Sequence, residues 1–323
     1  MPSPSKHLKG MLPRILVIVG PTASGKTSLA LAVADRCKSE IVSADSRQVY
    51  KYLDIGTAKP TVAERKKVKH HFVDILEPDQ EYSAGRFGLQ VRDIILEIVK
   101  KGHLPILVGG SGLYVKAAID GLFDGPGKDP EIRLRLEQQC EIEGLGSLVK
   151  TLREVDHLAL EAMKEVTPRR VIRALEVYQI TRRPISEFRL EENTAPAYEA
   201  YQVGLQWERE ELYQRINDRV DSMIASGLEA EVQALMARGY DRHLNALNTV
   251  GYKEVFDFYA GSGNHSEMIE LIKRNSRRFA KRQMTWFNGD RRIHWMRITG
   301  DDWLETAADK IVASFSKARE RVL

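Results

Sequence analysis

The sequence predicts an α/β fold, with a P-loop NTPase-like parallel sheet core and a mainly helical insertion domain. The first indication is residues 14–19, an apolar and β-branched run that ends at Gly20, as is typical of a strand buried on both faces. The second is that similar runs alternate with helical patterns, which favours a parallel sheet covered by helices. The third is a long, charge-rich helical block that interrupts this alternation.

Strands and helices alternate along the first third of the chain. Helical periodicity predicts helices at residues 28–37 and 85–101. The sequence after residue 208 is predicted to be mainly helical. Short apolar runs predict strands at residues 14–19, 40–43, 70–75, 104–108, 201–207 and 292–297.

The helical interruption has recognisable limits. The strand pattern stops at a Gly/Pro-rich segment, residues 121–127, and resumes at Tyr201. We therefore predict a core of residues 11–122 and 198–323 and an insertion domain of residues 123–197, which has the size of a small domain. Residues 1–10 are expected to be mobile.

Composition excludes several classes of protein. The chain has 323 residues. No run in it approaches the roughly 18 apolar residues of a membrane span, and its N-terminus lacks the apolar block of a secretory signal. We therefore expect a cytoplasmic protein with no membrane contact. Cys37 and Cys140 stand far apart without metal-ligand spacing, so the pattern indicates neither disulfides nor zinc. Both are expected to be buried thiols.

Positive charge is concentrated in two stretches, although the net charge is only +4. Residues 273–297 contain nine Lys or Arg and one acid, Asp290. Residues 167–183 contain five Arg and one acid, Glu176. Each stretch alone is equally explained as a solvated helix face. Together, and with Trp286, Phe287 and Trp295 interleaved in the first, they favour a nucleic-acid partner.

The strongest motif is GPTASGKT at residues 20–27, which satisfies the pattern G-x-x-x-x-G-K-[S/T] between a predicted strand and a predicted helix. In this context the backbone N–H groups of the loop and the helix N-terminus hold phosphate oxygens, and Lys26 adds a full positive charge. Thr27 supplies a hydroxyl suited to a phosphate-bridging Mg²⁺. The motif predicts a diphosphate or triphosphate site without naming the reaction.

Two further segments are expected near this loop. Asp45 follows the second predicted strand, which we place one strand over from the phosphate loop, and ligands bind outside the carboxyl ends of parallel strands. From position alone, Asp45 is equally a metal ligand, a general base or a helix N-cap. Residues 109–114, GGSGLY, should lie at the same edge. Their glycines permit the close approach of a ligand, although a tight turn also explains them.

The order and spacing of several segments resemble the successive signatures of bacterial tRNA dimethylallyltransferases. The resemblance covers nearly the whole chain, and no single segment after the phosphate loop is diagnostic by itself. The matching segments are residues 20–27, 43–46, 54–60, 70–74, 82–83, 107–114, 173–177, 251–252 and 281–286.

The resemblance implies an enzyme that transfers a dimethylallyl group from dimethylallyl diphosphate to the exocyclic amine (N6) of the adenosine 3′-adjacent to the anticodon of tRNA, releasing diphosphate. It implies Mg²⁺ as cofactor, with Thr27 on the metal side, and the anticodon stem-loop as the tRNA element bound. We expect a monomer. The eukaryotic branch adds a Cys/His zinc finger that this sequence lacks, so no other metal is expected.

The same resemblance assigns roles to individual residues. Asp45 matches the general base, and Arg215 or Arg219 matches an arginine that contacts the diphosphate. Ser111 replaces the threonine usual in the family, which keeps the hydroxyl but loses a methyl group. The implied diphosphate-binding residues are Gly20, Pro21, Thr22, Ala23, Ser24, Gly25, Lys26 and Thr27. The implied tRNA-binding residues are Asp45, Ser46, Arg47, Gln48, Ser111, Arg169, Arg170, Arg173, Gly251, Tyr252, Lys281, Arg282, Gln283 and Trp286.

Three other functions share some of these features. A prenyltransferase acting on free adenine nucleotides would keep the phosphate loop and Asp45 but would need no tRNA surface. A small-molecule kinase would turn over ATP without a prenyl donor. A non-catalytic RNA-binding module would bind tRNA without turnover. The two basic stretches and the insertion disfavour the first.

Overall fold

The computed structural model describes residues 12–122, 125–190, 198–300 and 302–320. The chain divides into two compact units: the core unit, residues 1–119 with 196–323, and the helical unit, residues 120–195. These limits lie close to the predicted domain boundaries. The expected mobility of residues 1–10 concerns a segment outside the described residues.

The core unit is built on a six-stranded sheet in which every pair of neighbouring strands is parallel. This confirms the predicted fold class. The strands are β1 (Arg14–Val19), β2 (Ser39–Ser43), β3 (His70–His71), β4 (Leu104–Gly109), β5 (Glu199–Gln206) and β6 (Ile293–Arg297).

Helices cover the sheet and form the helical unit. In the core unit they are α1 (Lys26–Ala34), α2 (Val62–Lys67), α3 (Ala84–Lys100), α4 (Gly112–Asp120), α10 (Arg209–Ala225), α11 (Leu228–Ala237), α12 (Tyr252–Tyr259), α13 (His265–Phe287) and α14 (Trp303–Glu320). In the helical unit they are α5 (Pro130–Glu143), α6 (Leu145–Val155), α7 (His157–Glu161), α8 (Pro168–Thr181) and α9 (Ile185–Leu190).

The order of the strands is β3-β2-β4-β1-β5-β6. The predicted neighbourhood of β1 and β2 is therefore wrong, because β4 lies between them and pairs with both. Strand order follows from long-range pairing, which local patterns do not encode. As a result, the loop after β4 separates the phosphate loop after β1 from Asp45 after β2, and all three loops leave the same edge of the sheet.

The hydrophobic core explains why β1 is central. Residues 15–19 are all fully buried, as expected for a strand covered on both faces. Apolar side chains of α1, including Leu29 and Val33, pack in one core cluster with Ile311 of α14. The C-terminal helix is therefore packed against the helix that follows the phosphate loop.

Strand β3 is much shorter than predicted. It spans two residues instead of the predicted 70–75, because Phe72 and Asp74 adopt positive φ angles of 60° and 57° that end the extended conformation. Asp74 is held in this turn by Lys59 and Arg65, each at 2.5 Å from a carboxylate oxygen. Asp74 and its two ion pairs therefore stabilise the turn that follows β3.

The helical unit has its own apolar core and one buried ion-pair network. Its core cluster includes Leu148, Leu152 and Val171. Glu176 of α8 is fully buried and is 2.7 Å from both Arg133 and Arg173. These contacts join α5 to α8 inside the unit.

Two expectations from composition can be compared with the structure. Cys37 and Cys140 are free thiols, but both are half-buried, so the expectation of buried thiols is wrong. Burial raises the pKa of Cys37, whose Sγ lies 3.3 Å from the Val33 carbonyl oxygen. Among the described residues, none of the helices combines the length and apolarity needed to cross a bilayer.

A charged cluster surrounds Glu40 at the start of β2. The Glu40 side chain is 6% exposed and accepts hydrogen bonds from His71 (2.7 Å), Lys101 (3.1 Å) and His103 (3.1 Å), while Lys69 lies 3.8 Å away. Burial by itself would raise the pKa of Glu40, but these partners outweigh it and lower the pKa to about 2. The carboxylate therefore joins β2 to the starts of β3 and β4.

We predict that this cluster contributes acid-sensitive stability. The pKa of Glu40 in the folded state is below its ordinary value of 4.5, so its contribution is complete above pH 4.5 and is lost as the pH falls towards about 2. Glu40→Gln should lower the free energy of unfolding at pH 7 by about 1–3 kcal/mol. Its melting temperature should also fall less between pH 5 and pH 3 than that of the unsubstituted protein. Glu97→Gln on the exposed side of α3 is the matched control. Equal acid sensitivity of all three proteins would contradict the prediction.

Candidate functional site

The phosphate loop, residues 20–27, connects β1 to α1 at the carboxyl edge of the sheet. Gly25 is the N-cap of α1, with a φ of 88°, and no side chain caps this helix. The N–H groups of the first turn are consequently available to a ligand, and the helix dipole favours an anion there. This local geometry fits the diphosphate or triphosphate site predicted from the motif.

Lys26 lies inside this loop. Its Nζ donates a 2.6 Å hydrogen bond to the carbonyl oxygen of Pro21. Burial is the main cause that lowers the pKa of Lys26 to about 7, the positive charge of Arg219 lowers it further, and Asp45 partly offsets both. An anionic ligand bound here would therefore stabilise the charged form of Lys26.

Arg215 and Arg219, both on α10, have different surroundings. Burial lowers the pKa of Arg219, and the negative charge of Asp45 opposes that shift, so Arg219 shares the electrostatic environment of Lys26. The guanidinium of Arg215 instead lies 4.1 Å from the ring centre of Trp207, and its Nε donates to the carbonyl oxygen of Ala23 at 3.1 Å. Arg215 therefore holds the backbone of the loop, whereas Arg219 contributes charge to the site.

Asp45 combines two of the features considered from sequence. Its Oδ1 accepts hydrogen bonds from the backbone N–H groups of Arg47 (2.8 Å) and Gln48 (3.4 Å), which closes the turn after β2. This turn does not begin a helix, so the N-cap interpretation is wrong in its literal form. The carboxylate also interacts electrostatically with Lys26 and Arg219, which puts a negative charge beside the phosphate loop.

The glycine-rich loop after β4 is close-packed against α13. The space that a Cβ at Gly110 or Gly112 would occupy is filled by the side chains of Gln283 and Trp286 respectively. Gln283 accepts a 2.8 Å hydrogen bond from the Thr22 N–H and donates a 2.9 Å bond to the Gly110 carbonyl oxygen. The glycines thus permit the close approach of α13 side chains, and Gln283 joins the two loops.

The predicted tRNA-contacting residues on the β2 loop are divided between the surface and the interior. Ser46 and Ser111 meet, because the Ser46 N–H donates to Ser111 Oγ at 3.1 Å. Arg47 donates to the carbonyl oxygens of Asn245 and Asn248. Gln48 is 9% exposed and donates to the carbonyl oxygens of residues 57 and 58, so it has an internal role here, while its tRNA contact stays a prediction.

Gly251 and Tyr252 lie in the interior. Tyr252 is fully buried, and its hydroxyl lies 2.5 Å from Glu231. Glu231 also accepts hydrogen bonds from the N–H groups of Asp54, Ile55 and Gly56. Both residues are buried, and Tyr252 supports the loop at residues 54–56, while their tRNA contact stays a prediction.

Helix α13 presents a basic face to solvent. Arg274, Arg278, Lys281 and Arg282 are exposed, and their spacing of four, three and one residues puts them on one side of the helix. None of the four pairs with an acidic side chain in the described parts of the chain. We call these four residues the α13 basic face.

Other cations of the same stretch are paired. Lys273 lies 2.8 Å from Asp221, and Arg277 donates to Asn217 at 2.6 Å. Arg292 pairs with Asp290, and Arg297 pairs with Glu208. Charge content alone therefore overstates the basic surface available on residues 273–297.

The basic stretch in the helical unit divides in the same way. Arg169 and Arg170 are exposed, and Arg170 donates to the Glu165 carbonyl oxygen at 2.7 Å. Arg173 donates to the buried Glu176 and to the carbonyl oxygens of Pro126 and Gly127. The hydrogen bonds of Arg173 are therefore directed into its own unit, while its tRNA contact stays a prediction.

The donor groups around the phosphate loop suit Mg²⁺ held mainly by phosphate. The residues that the structure describes contain no group of three or more His, Cys, Asp or Glu that could hold a metal ion. Mg²⁺ commonly keeps several waters and binds substrate phosphates through few protein groups. The hydroxyl of Thr27 and the carboxylate of Asp45 supply the oxygen donors that such an ion uses, so these residues fit the group.

Sequence reasoning missed Glu231, Trp207 and Trp303. Each supports a functional loop from a distant part of the chain: Glu231 holds residues 54–56, while the two tryptophans contact residues 24 and 25. No local pattern marks them, although Trp207 follows the resumed strand and therefore falls at the edge where ligands bind.

We predict that diphosphate binding takes up a proton. At pH 8 most Lys26 side chains are neutral, because their pKa is about 7, and a bound polyanion should raise that pKa and protonate the amine. Calorimetric titration with inorganic pyrophosphate in buffers of different ionisation enthalpy measures the protons taken up. Lys26→Arg keeps the positive charge but does not titrate in this range, so its proton uptake should be smaller. Equal uptake by both proteins would exclude Lys26 as the proton acceptor.

Comparison with known proteins identifies relatives of this chain. A family model described as IPP transferase matches residues 48–290. A protein named tRNA dimethylallyltransferase 1, from Trichlorobacter lovleyi, is 46% identical over 287 residues, which cover 88% of this chain and 94% of that protein. A tRNA dimethylallyltransferase from Carboxydothermus hydrogenoformans is 45% identical over 304 residues, covering 94% and 97% of the two chains.

Solved structures agree with the sequence relatives. The full-length tRNA isopentenylpyrophosphate transferase from Bacillus halodurans superposes with a TM-score of 0.69 at 37% identity, covering 95% of this chain and 98% of that one. A eukaryotic dimethylallyltransferase, in a structure described as acting on tRNA, superposes with a TM-score of 0.76 at 25% identity, covering 95% and 80%. The family model spans well over half of the chain, and the sequence relatives cover almost all of it. This chain therefore belongs to the IPP transferase family.

Proposed function

We propose that this protein is a tRNA dimethylallyltransferase that moves the dimethylallyl group of dimethylallyl diphosphate to N6 of the adenosine 3′-adjacent to the anticodon of tRNA. The observation that carries the proposal is the Asp45 carboxylate beside a phosphate loop that contains Lys26 and faces Arg219. A binding site for diphosphate and a proton acceptor are the two elements that this reaction needs. The names of the relatives support the same reaction.

The chemistry explains both needs. The lone pair of an exocyclic adenine amine is delocalised into the ring, so the amine is a weak nucleophile and the leaving group must be good. A new bond forms between N6 and the terminal allylic carbon while the bond from that carbon to the diphosphate oxygen breaks. Negative charge grows on the departing diphosphate, and the amine loses a proton. Groups that stabilise the growing charge more than the ground state lower the barrier.

We assign the stabilising role to the backbone N–H groups at the uncapped N-terminus of α1, to Lys26 and to Arg219. Support for Arg219 over Arg215 comes from its electrostatic interaction with Lys26 and Asp45, whereas Arg215 donates to the Ala23 carbonyl oxygen. We propose that Mg²⁺, when bound to the diphosphate, adds further positive charge, with the Thr27 hydroxyl as its protein ligand. Arg215 acts on the loop itself.

We assign Asp45 as the general base. Its Oδ1 is used by the turn N–H groups of residues 47 and 48, which fixes the orientation of the carboxylate while Oδ2 has no hydrogen-bond donor among the described residues. A carboxylate with one oxygen held and one available is suited to accept a proton from N6. A positioned base of this kind contributes about 10²–10⁴ in rate.

We propose that tRNA binds along the α13 basic face, which continues to Trp286 at the glycine-rich loop. Support comes from the four exposed cations on one side of the helix and from Trp286, which is 46% exposed and lies against Gly112. The target adenine must leave its stack to reach the diphosphate, and unstacking costs least in a single-stranded loop. An anticodon loop satisfies this condition, and exposed aromatic rings are suited to stack unpaired bases.

One incubation tests the proposed function directly. Dimethylallyl diphosphate labelled in its allyl group is mixed with unmodified tRNA, with adenosine monophosphate, or with no acceptor, and the products are digested to nucleosides. Label in modified adenosine from tRNA alone supports the proposal. Label on free nucleotide would instead indicate a nucleotide prenyltransferase. ATP consumption without any label transfer would indicate a kinase.

We predict that Asp45→Asn separates the three roles considered for this residue. Asparagine retains an oxygen that accepts from the turn N–H groups but cannot take a proton, so turnover should fall by about 10²–10⁴ with little change in tRNA affinity. A metal-ligand role predicts weaker diphosphate binding and partial rescue by added Mg²⁺. A purely structural role predicts nearly normal turnover. Turnover, both Michaelis constants and the melting temperature decide among them.

We predict that the α13 basic face carries much of the salt dependence of tRNA binding. Each phosphate contact changes the log–log salt slope by roughly −0.7 to −0.9, so replacing Arg274, Arg278, Lys281 and Arg282 with alanine should reduce the slope by about 3. The matched control replaces four exposed cations elsewhere on the core unit: Lys66, Lys67, Arg92 and Lys100. Filter-binding titrations at several salt concentrations compare the two. Equal slopes in both variants would mean that the face is only solvated.

A further inference from the structure

The phosphate loop is covered on one side by tryptophan. Trp303, the first residue of α14, lies so close to Gly25 that a Cβ at residue 25 would sit 2.8 Å from its ring. The nearest ring atoms are Cζ2 and Cη2, which form the far edge of the indole. A side chain at residue 25 would collide with this ring, and the φ of 88° would also strain any residue other than glycine.

Two other side chains cover the same side of the loop. Trp207 packs edge to face against Trp303, with ring centres 5.7 Å apart, and its Nε1 donates to the Ser24 carbonyl oxygen at 3.0 Å. Arg215 lies over Trp207 and donates to the Ala23 carbonyl oxygen. Residues 23–25 are thus contacted one after another by side chains from α10, α14 and the end of β5.

Helix α14, which begins at Trp303, is held in place by an apolar face and by ion pairs. One face of the helix, including Ala307, Ala308 and Ile311, is buried in the core cluster that also contains α1. On the exposed side, Arg36 lies 2.6 Å from Asp309 and also pairs with Glu305. The position of the indole is therefore set by packing along several turns of α14.

The order of the strands places the two tryptophans and Asp45 on opposite sides of the phosphate loop. β5 and β6 lie on one side of β1, and β4 and β2 lie on the other. Trp207 and Trp303 follow β5 and β6, whereas Asp45 and Ser111 follow β2 and β4. One side of the loop is closed by indole rings, and the other carries the carboxylate that we assign as the base.

We propose that Trp303 is a positioning residue for the phosphate loop: together with Arg215 and Trp207 it holds residues 23–25, and it closes the β5–β6 side, so that the organic group of a bound diphosphate extends toward Asp45. This inference rests on the proposed function. It predicts selectivity for a small allylic diphosphate over nucleotides, because a nucleoside would have to share the β2–β4 side with the acceptor.

Two substitutions test the inference. Trp303→Ala removes the ring, and Trp303→Phe keeps an aromatic ring in the core but lacks the Cζ2–Cη2 edge that meets Gly25. Both should raise the Michaelis constant for dimethylallyl diphosphate and the dissociation constant for inorganic pyrophosphate, by about tenfold to a hundredfold for the alanine variant and less for phenylalanine. The Michaelis constant for tRNA should not change. Inhibition by ATP should become stronger relative to pyrophosphate.

Trp295→Ala is the matched control, because this β6 indole packs against Gly204 and not against the phosphate loop. If the alanine variant at residue 303 does not fold, the phenylalanine variant carries the test. Unchanged donor and pyrophosphate constants in the folded variants would overturn the inference. Parallel losses for donor and tRNA would also overturn it, because they indicate a general structural role. If the unsubstituted protein binds neither pyrophosphate nor dimethylallyl diphosphate, that result contradicts the proposed function itself, and with it the inference on Trp303.

Discussion

The site depends on one electrostatic constraint: two basic side chains, Lys26 and Arg219, are half-buried within the influence of a single carboxylate, Asp45. Burial lowers the tendency of both Lys26 and Arg219 to carry charge, Arg219 lowers that of Lys26 further, and Asp45 is the negative group that acts on both. A protein tolerates such an arrangement when the surrounding fold holds it in place and the ligand supplies the missing negative charge. Binding an anion beside Lys26, Arg219 and Asp45 is therefore a problem that the surrounding fold must solve.

The rest of the core unit solves this problem with side chains from distant segments. Gln283 joins the phosphate loop to the glycine-rich loop, Arg215 and the two tryptophans hold residues 23–25, and Glu231 holds residues 54–56. Most of these contacts end on backbone groups. A backbone contact fixes the path of a loop without occupying the space of a ligand, which suits a site that must admit a diphosphate and a flipped base from one edge.

The distribution of charge follows a similar logic. Arginine and lysine are frequent in both basic stretches, but several of them serve the fold: Arg173 neutralises a buried glutamate, and Arg277 joins α13 to α10. The four cations of the α13 basic face, which have no acidic partner among the described residues, lie on one side of the helix that leads to Trp286. A polyanion approaching this face meets positive charge first and an exposed aromatic ring next to the glycine-rich loop. Under the proposed function, affinity for tRNA and the placement of an unpaired base are arranged in sequence along this one helix.

The sequence by itself determined the fold class, the phosphate-loop motif, the position of Asp45 after the second strand and the two basic stretches, because each is encoded locally by periodicity, a compact motif or composition. It also carried the resemblance that the comparisons bear out. Tertiary structure decided the order of β1, β4 and β2, the burial of Gln48 and Tyr252, and the different surroundings of Arg215 and Arg219. These features depend on strand pairing and on contacts between residues far apart in the chain, such as Thr22 with Gln283 and Gly25 with Trp303. Local sequence patterns contain no information on which distant side chain will fill the space above a glycine.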